Sequence, residues 1–269
     1  RDALVGVALF LTYLAQTGLR MTALRATYPA YYASKNKIAL TPEDILVLVG
    51  DLLEKGQESL TLLRYVMDLC RTHTVYPLCG NCDGLVYRFF QGDELDRRFF
   101  SFYLPQHPES TLRQLAREGG FDQTDDLPRL RADLRSAYPE EWRFLSRMPT
   151  ILETEHLVFV HGGVPSLDHM DQLDRWRCMK NDDFLGQGHA FDKWVIVGHW
   201  PVTLYRPDIQ SAAPILLPGR RIASIDGGCV LKKDGQLNAL ILPEESSQNF
   251  TWTAWDGLPT ATALDGQQP

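Results

Sequence analysis

Short apolar runs alternate along this chain with stretches in which apolar residues recur every three or four positions. Ile45-Leu46-Val47-Leu48-Val49, Val75 to Leu78, Leu157-Val158-Phe159-Val160, Trp194-Val195-Ile196-Val197 and Ile222-Ala223-Ser224-Ile225 have the length and side-chain types of buried strands. Ser59 to Leu69 sets Leu60, Leu63, Val66 and Met67 at helical spacing and predicts an amphipathic helix. Leu237 to Leu242 reads as a late strand, with Lys233-Asp234-Gly235 as its hairpin turn. A charged stretch over 85–154, including Ser110 to Glu118 and Pro139 to Leu145, predicts helices packed as an insertion beside the sheet. Strands alternating with helices in this way predict an α/β layered domain.

The polar residues that close these runs carry the chemistry. Gly50-Asp51, Gly80-Asn81, His161-Gly162-Gly163 and Gly198-His199 each follow an apolar run. Strand-to-loop corners are where α/β sheets present side chains to a crevice. A carboxylate, an amide oxygen and two imidazoles suit Mn, Fe or Zn better than Ca, which takes all-oxygen shells. Taken singly, Gly-Asp is a common turn and a His after a strand is usually structural. Four such corners in order point to a metal site.

Composition narrows the partners. The net charge of -7 argues against a nucleic-acid surface, which needs basic patches. A small phosphorylated ligand stays compatible, because a bound metal supplies positive charge locally. Five cysteines on 269 residues, an odd number, fit free thiols in a reducing compartment, and the expected location is the cytoplasm. Cys79-Gly80-Asn81-Cys82 has the spacing of a redox or zinc pair, but no second Cys or His pair lies nearby to complete a zinc site. The chain starts at Arg1 and not at Met, as expected of a fragment or processed product. The apolar run Leu4 to Ala15 admits two readings, a buried helix or strand or a targeting remnant. Asp2 and the lack of a small-x-small cleavage site favour the first, and the run is too short for a membrane span. The expected organisation is an apolar extension over 1–18 packed on a domain over 19–243, then an extended tail over 244–269.

The sequence Gly50-Asp51-Leu52-Leu53-Glu54-Lys55-Gly56, Gly80-Asn81-Cys82-Asp83, His161-Gly162-Gly163, Gly198-His199-Trp200-Pro201 and Ile225-Asp226-Gly227-Gly228-Cys229 resembles, in order and spacing, the motifs of the calcineurin-like metallophosphoesterases. The resemblance runs over roughly 19–243 and is to the branch holding Ser/Thr protein phosphatases and symmetric diadenosine tetraphosphatases. It implies a four-layer α/β fold of two packed mixed β-sheets flanked by helices. It also implies that Asp51, Asn81, His161 and His199 form a complete set for one of the family's two metals, a divalent Mn, Fe or Zn. The implied ligand is a phosphorylated small molecule or a phosphoprotein, with room for a protein partner and no expectation of nucleic acid or membrane.

The departures from the family pattern concern catalysis. Its Asp-x-His-Gly motif should fall on Ala23-Leu24-Arg25-Ala26, where neither Ala23 nor Arg25 can ligate a metal. A vacancy there leaves Asp83 and Glu54 as the nearest replacement carboxylates. By the same resemblance, Cys82 stands where the family has its general-acid His, Glu54 where it has the Asp partner, and Lys55 where it has a phosphate-binding Arg. Arg25 has two readings: a guanidinium that holds phosphate in place of the lost ion, or one that points to solvent or pairs with Asp51 or Glu54. Two-metal hydrolysis needs both ions, and a thiol is a poorer proton donor than an imidazolium at neutral pH. The expectation is a weakened or inactive phosphatase that binds a phospho-ligand or a partner, with a metal-dependent phosphatase acting on phosphoproteins or nucleotides as the alternative.

Overall fold

A computed structural model describes residues 18, 41, 43–92, 94–121, 126–164, 174–208, 211–229 and 235–242, and every element below belongs to the unit Thr41–Pro269. Ala23, Arg25, the run Leu4 to Ala15, the Lys233-Asp234 part of the expected turn and the tail over 244–269 lie outside the described residues.

Strands β1 (Ile45–Leu48) and β2 (Thr74–Pro77) form a parallel pair, with Leu46 opposite Val75. They are joined by helix α1 (Ser59–Thr72), three residues longer than the apolar periodicity predicts. Leu60, Leu63, Val66 and Met67 are its buried stripe. A second sheet has the order β3-β4-β5-β7-β6. Its centre, β4 (Leu157–Val160), β5 (Trp194–Val197) and β7 (Ile222–Ser224), is parallel. The edges β3 (Ile151–Glu153) and β6 (Ile215–Leu217) run antiparallel to it. The larger sheet is therefore mixed as expected, and the smaller is parallel among the described residues.

Side-chain alternation along the central strands decides the layering. Phe159, Ile196 and Ala223 point to one face, where Val47, Tyr76 and Leu78 of the smaller sheet's region meet them. Val158, Val160, Val195 and Val197 point to the other face, against Phe184 and Leu185. These last two lie on helix α8 (Phe184–Gln187), which follows α7 (Arg175–Met179). A third cluster, including Leu63, Phe89, Phe100, Leu115 and Leu134, joins α1 to helices α2 (Asn81–Gln91), α3 (Glu94–Gln106), α4 (Thr111–Glu118), α5 (Leu127–Ala137) and α6 (Pro139–Leu145). Sheets between helical layers, as the sequence predicts, are the result.

Two local expectations fail. Residues 151–153, inside the stretch read as helical, form β3; three residues are too few to show a period. Leu237 to Leu242 is not a strand: among the described residues its neighbourhood holds one bridge, Gly228 to Gln236. The Asn238 side chain donates to the carbonyls of Ala212 and Ile225, at 2.8 and 2.9 Å, so a local amide engages acceptors that a ladder would use. Leu240 and Leu242 still pack against the inter-sheet core. After β5 comes a one-turn helix, α9 (Val202–Tyr205). Among the described residues, no helix is long and apolar enough to cross a membrane.

Candidate metal centre

The loops leaving β1, β4 and β5 converge. One ligand atom each from Asp51, His161 and His199 lies within 4.8 Å of the others. Asn81 opens helix α2, directly after the loop from β2. The approach is tight enough to restrict the backbone. A Cβ on Gly80 would lie 2.3 Å from Asp51 Oδ1, and one on Gly50 would lie 2.7 Å from His161 Nδ1. Asp51 (φ 57°) and His199 (φ 61°) both sit in the left-handed region, which is unfavourable for residues with a side chain and concentrates at functional sites.

Hydrogen bonding fixes the role of His161. Its Nδ1 is 2.7 Å from the Val49 carbonyl oxygen, which can only accept, so Nδ1 carries a proton. In the neutral ring Nε2 then presents a lone pair 3.2 Å from Asp51 Oδ1, another acceptor. A proton or a cation must lie between them. In the metal-free protein the proton does so: burial opposes charge on both groups, but each holds the other ionised. The Asp51 carboxyl falls to about 2, helped by the Cys82 N–H and thiol, and the His161 pKa is raised. Asn81 Oδ1 is buried without a hydrogen-bond partner among the described residues, and His161 Nε2 faces the Asp51 carboxylate. An unpartnered buried oxygen on the residue after Gly80, which itself packs on Asp51, fits a divalent cation at the Asp51, His161 and His199 cluster, and this nitrogen and oxygen donor set suits Mn, Fe or Zn.

His199 donates Nε2–H to Asp182 Oδ1 at 2.7 Å, which leaves Nδ1 as its lone-pair nitrogen. Burial lowers its pKa, so the ring is neutral near pH 7. Asp182 carries no signal in the sequence, where nothing marks an Asp 17 positions before a His.

Both carboxylates considered for the vacant ligand position are engaged elsewhere. Asp83 is fully buried and accepts from the backbone N–H groups of Asp51, Gly80 and Leu53 at 2.8, 2.9 and 3.1 Å. It ties the loop after β1 to the start of α2, although burial and the nearby Asp51 raise its pKa. Glu54 accepts from Tyr103 Oη at 2.6 Å and from the Thr111 N–H at 3.0 Å, while its own N–H donates to Thr111 Oγ1 at 2.9 Å. Tyr103 and Thr111 thus occupy both carboxylate oxygens of Glu54.

Cys82 donates its N–H to Asp51 Oδ1 at 2.9 Å and its thiol to Asp51 Oδ2 at 3.1 Å. Burial first, and then the Asp51 charge, push the thiol pKa far up, so it stays protonated. Cys79 packs in the helical core, and all five cysteines are free thiols. Lys55 is exposed, with its charge acting on Cys82. Asp226, from the last of the matching motifs, accepts the Gly228 N–H at 2.7 Å as a turn residue does. Its carboxyl also feels the charges of His161, Asp51 and His199, so it lies near the cluster, with burial raising its pKa. The signal that could have found it was its place just after β7.

Comparison with known proteins agrees with this geometry. The family model for calcineurin-like phosphoesterases matches residues 23–214. Three bacterial relatives are each named bis(5'-nucleosyl)-tetraphosphatase PrpE [asymmetrical]. That of Oceanobacillus iheyensis is 21% identical over 216 residues, covering 74% of each chain. That of Anoxybacillus flavithermus is 26% identical over 224 residues, covering 79% of this chain and 82% of its own. That of Halalkalibacterium halodurans is 25% identical over 217 residues, covering 74% and 76%. Their names carry the asymmetrical designation, where the motifs had pointed to the symmetric tetraphosphatases. With the family model spanning most of its length, the chain belongs to the calcineurin-like phosphoesterase family.

Proposed function

We propose that this domain holds one divalent ion on Asp51, Asn81, His161 and His199 and uses it to bind a phosphorylated small molecule of the dinucleoside polyphosphate class, with weak turnover or none. The carrying observation is the convergence of Asp51, His161 and His199, whose ligand atoms lie within 4.8 Å of one another, together with a buried Asn81 Oδ1 that has no hydrogen-bond partner among the described residues. When bound, such an ion supplies Lewis acidity and local positive charge for a phosphate oxygen. The protein's own residues orient that site: Val49 fixes the His161 proton, and Asp83 fixes the two loops.

Weak turnover is supported by the acid side of the site. Cys82 is held as a thiol on Asp51, and Glu54 is committed to Tyr103 and Thr111, so neither is free to move a proton. Lys55, exposed and with its charge acting on Cys82, is one candidate cation for phosphate, and Arg25 is a second from the sequence. The free thiols fit a cytoplasmic setting.

The relatives' names favour a second reading, an active metal-dependent nucleotide phosphatase. One experiment separates the two: Mn²⁺ titration by calorimetry, with hydrolysis of p-nitrophenyl phosphate and diadenosine tetraphosphate, for wild type and His199→Ala. The first reading expects one Mn²⁺ per chain, lost in the variant, and equal background hydrolysis in both. Mn²⁺-dependent turnover that disappears in His199→Ala establishes the second reading.

A further inference from the structure

His161 and His199 are held by partners on opposite ring nitrogens. The Val49 carbonyl takes the Nδ1 side of His161, and the Asp182 carboxylate takes the Nε2 side of His199. An ionised carboxylate only accepts hydrogen bonds, so Asp182 dictates a proton on Nε2 and a lone pair on Nδ1. From this geometry we infer that Asp182 is a positioning residue, which sets the His199 tautomer and makes Nδ1 the nitrogen presented to a divalent cation. The inference rests on the proposed single-ion site.

Asp182 is itself held from several sides. The N–H groups of Gly162 and Gly163, just past His161, both donate to the Cys178 carbonyl, at 2.7 and 3.1 Å. A Cβ on Gly162 would lie 2.8 Å from Cys178 O and Asn181 N, so the segment from α7 to Asp182 is drawn against the end of β4. Tyr205 Oη, from α9 just past His199, donates to the Asp182 carbonyl at 3.4 Å. Lys180 Nζ donates to the same Asp182 Oδ1 at 3.1 Å. The segments that carry the two histidines therefore also carry the contacts that hold Asp182. Such an outer partner orients a metal-ligating histidine, and its loss typically lowers metal affinity ~10–100-fold.

The test uses wild type, Asp182→Ala and Asp182→Asn, with thermal melting as a fold control. Long-range proton–nitrogen NMR of the metal-free protein reads the His199 tautomer, assigned by the signals lost in His199→Gln. Calorimetry reads Mn²⁺ affinity. We expect the Nε2–H form in wild type and in Asp182→Asn, whose Oδ1 still accepts, and a mixture in Asp182→Ala. Mn²⁺ affinity should fall about 10–100-fold in Asp182→Ala and stay near wild type in Asp182→Asn. A wild-type His199 protonated on Nδ1, or an Asp182→Ala protein that keeps its tautomer and its Mn²⁺ affinity, overturns the inference. If wild type binds no Mn²⁺ while Asp182→Ala still scrambles the tautomer, the single-ion reading falls and the role of Asp182 in fixing His199 stands.

Discussion

The two halves of the site differ in what their polar atoms are doing. On one side, Asp51, His161 and His199 converge and the buried Asn81 Oδ1 has no hydrogen-bond partner among the described residues. On the other, Glu54 has both carboxylate oxygens occupied, and Cys82 donates both its N–H and its thiol to Asp51. Since a buried polar group without a partner is costly, such an atom is retained where a ligand will satisfy it. Satisfied groups instead hold the structure. The motif order alone assigns catalytic roles to both halves, whereas the hydrogen bonds support a ligand role only for the first.

The largest effect that would sharpen this contrast is on Asp83, which serves both halves. Asp83→Ala removes the acceptor for three backbone N–H groups, each worth about 1 kcal/mol or more when stranded. We expect about 3 kcal/mol of lost stability in urea unfolding together with loss of Mn²⁺ binding. A change under about 1 kcal/mol would mean the loops do not depend on it.

Next comes the ligand side against the acid side. His161→Ala should lower Mn²⁺ affinity by more than the ~10–100-fold carried by an outer partner. Cys82→Ala removes a competitor for Asp51 Oδ2 and should leave affinity unchanged or slightly raised. Equal losses in the two variants would erase the distinction and make the thiol a ligand.

The His161–Asp51 pair also gives the metal-free protein a pH signature. Asp51 is depressed from 3.8 to about 2, so its contribution is complete above pH 3.8 and is lost as pH falls towards 2. His161 is raised above 6.5, so its contribution is complete below pH 6.5 and is lost as pH rises through the folded pKa. Melting temperature should therefore decline on both sides of that window, with the alkaline decline absent in His161→Gln. Metal binding should run the other way, strengthening with pH as His161 loses its proton. An alkaline limb identical in wild type and His161→Gln would remove the ion pair from the account.

The smallest expected effect lies wholly on the satisfied side. Tyr103→Phe deletes one donor to Glu54 and should cost about 1 kcal/mol, while Mn²⁺ affinity is unmoved. A shift in Mn²⁺ affinity here would show that Glu54 is coupled to the metal after all.

Much of this organisation was legible in the residues. Five apolar runs became the parallel strands β1, β2, β4, β5 and β7 to within a residue or two, because strands buried on one or both faces need continuous apolar content. The edges β3 and β6 were not legible, since three residues show no period. Leu237 to Leu242 is mostly apolar, as a strand can be, yet the Asn238 amide engages backbone carbonyls there. Within the site, the four strand-end residues stand out by position, and Asp226 carried the same signal. Asp182 carried none, since its partnership with His199 spans two separate loops.

The sequence by itself determined the α/β layering and the corners at which Asp51, Asn81, His161 and His199 sit, because side-chain periodicity and chain reversal are local properties. It also determined that Cys82 and Glu54 differ from the family pattern. Only the tertiary structure decided which polar atoms are satisfied and which are left facing one another. That Asp83 serves three N–H groups, that Glu54 belongs to Tyr103 and Thr111, and that Asp182 selects the His199 nitrogen all depend on contacts between residues distant in the chain. Hydrogen-bond partnership is set by distance and angle in space, and spacing along the chain does not encode it.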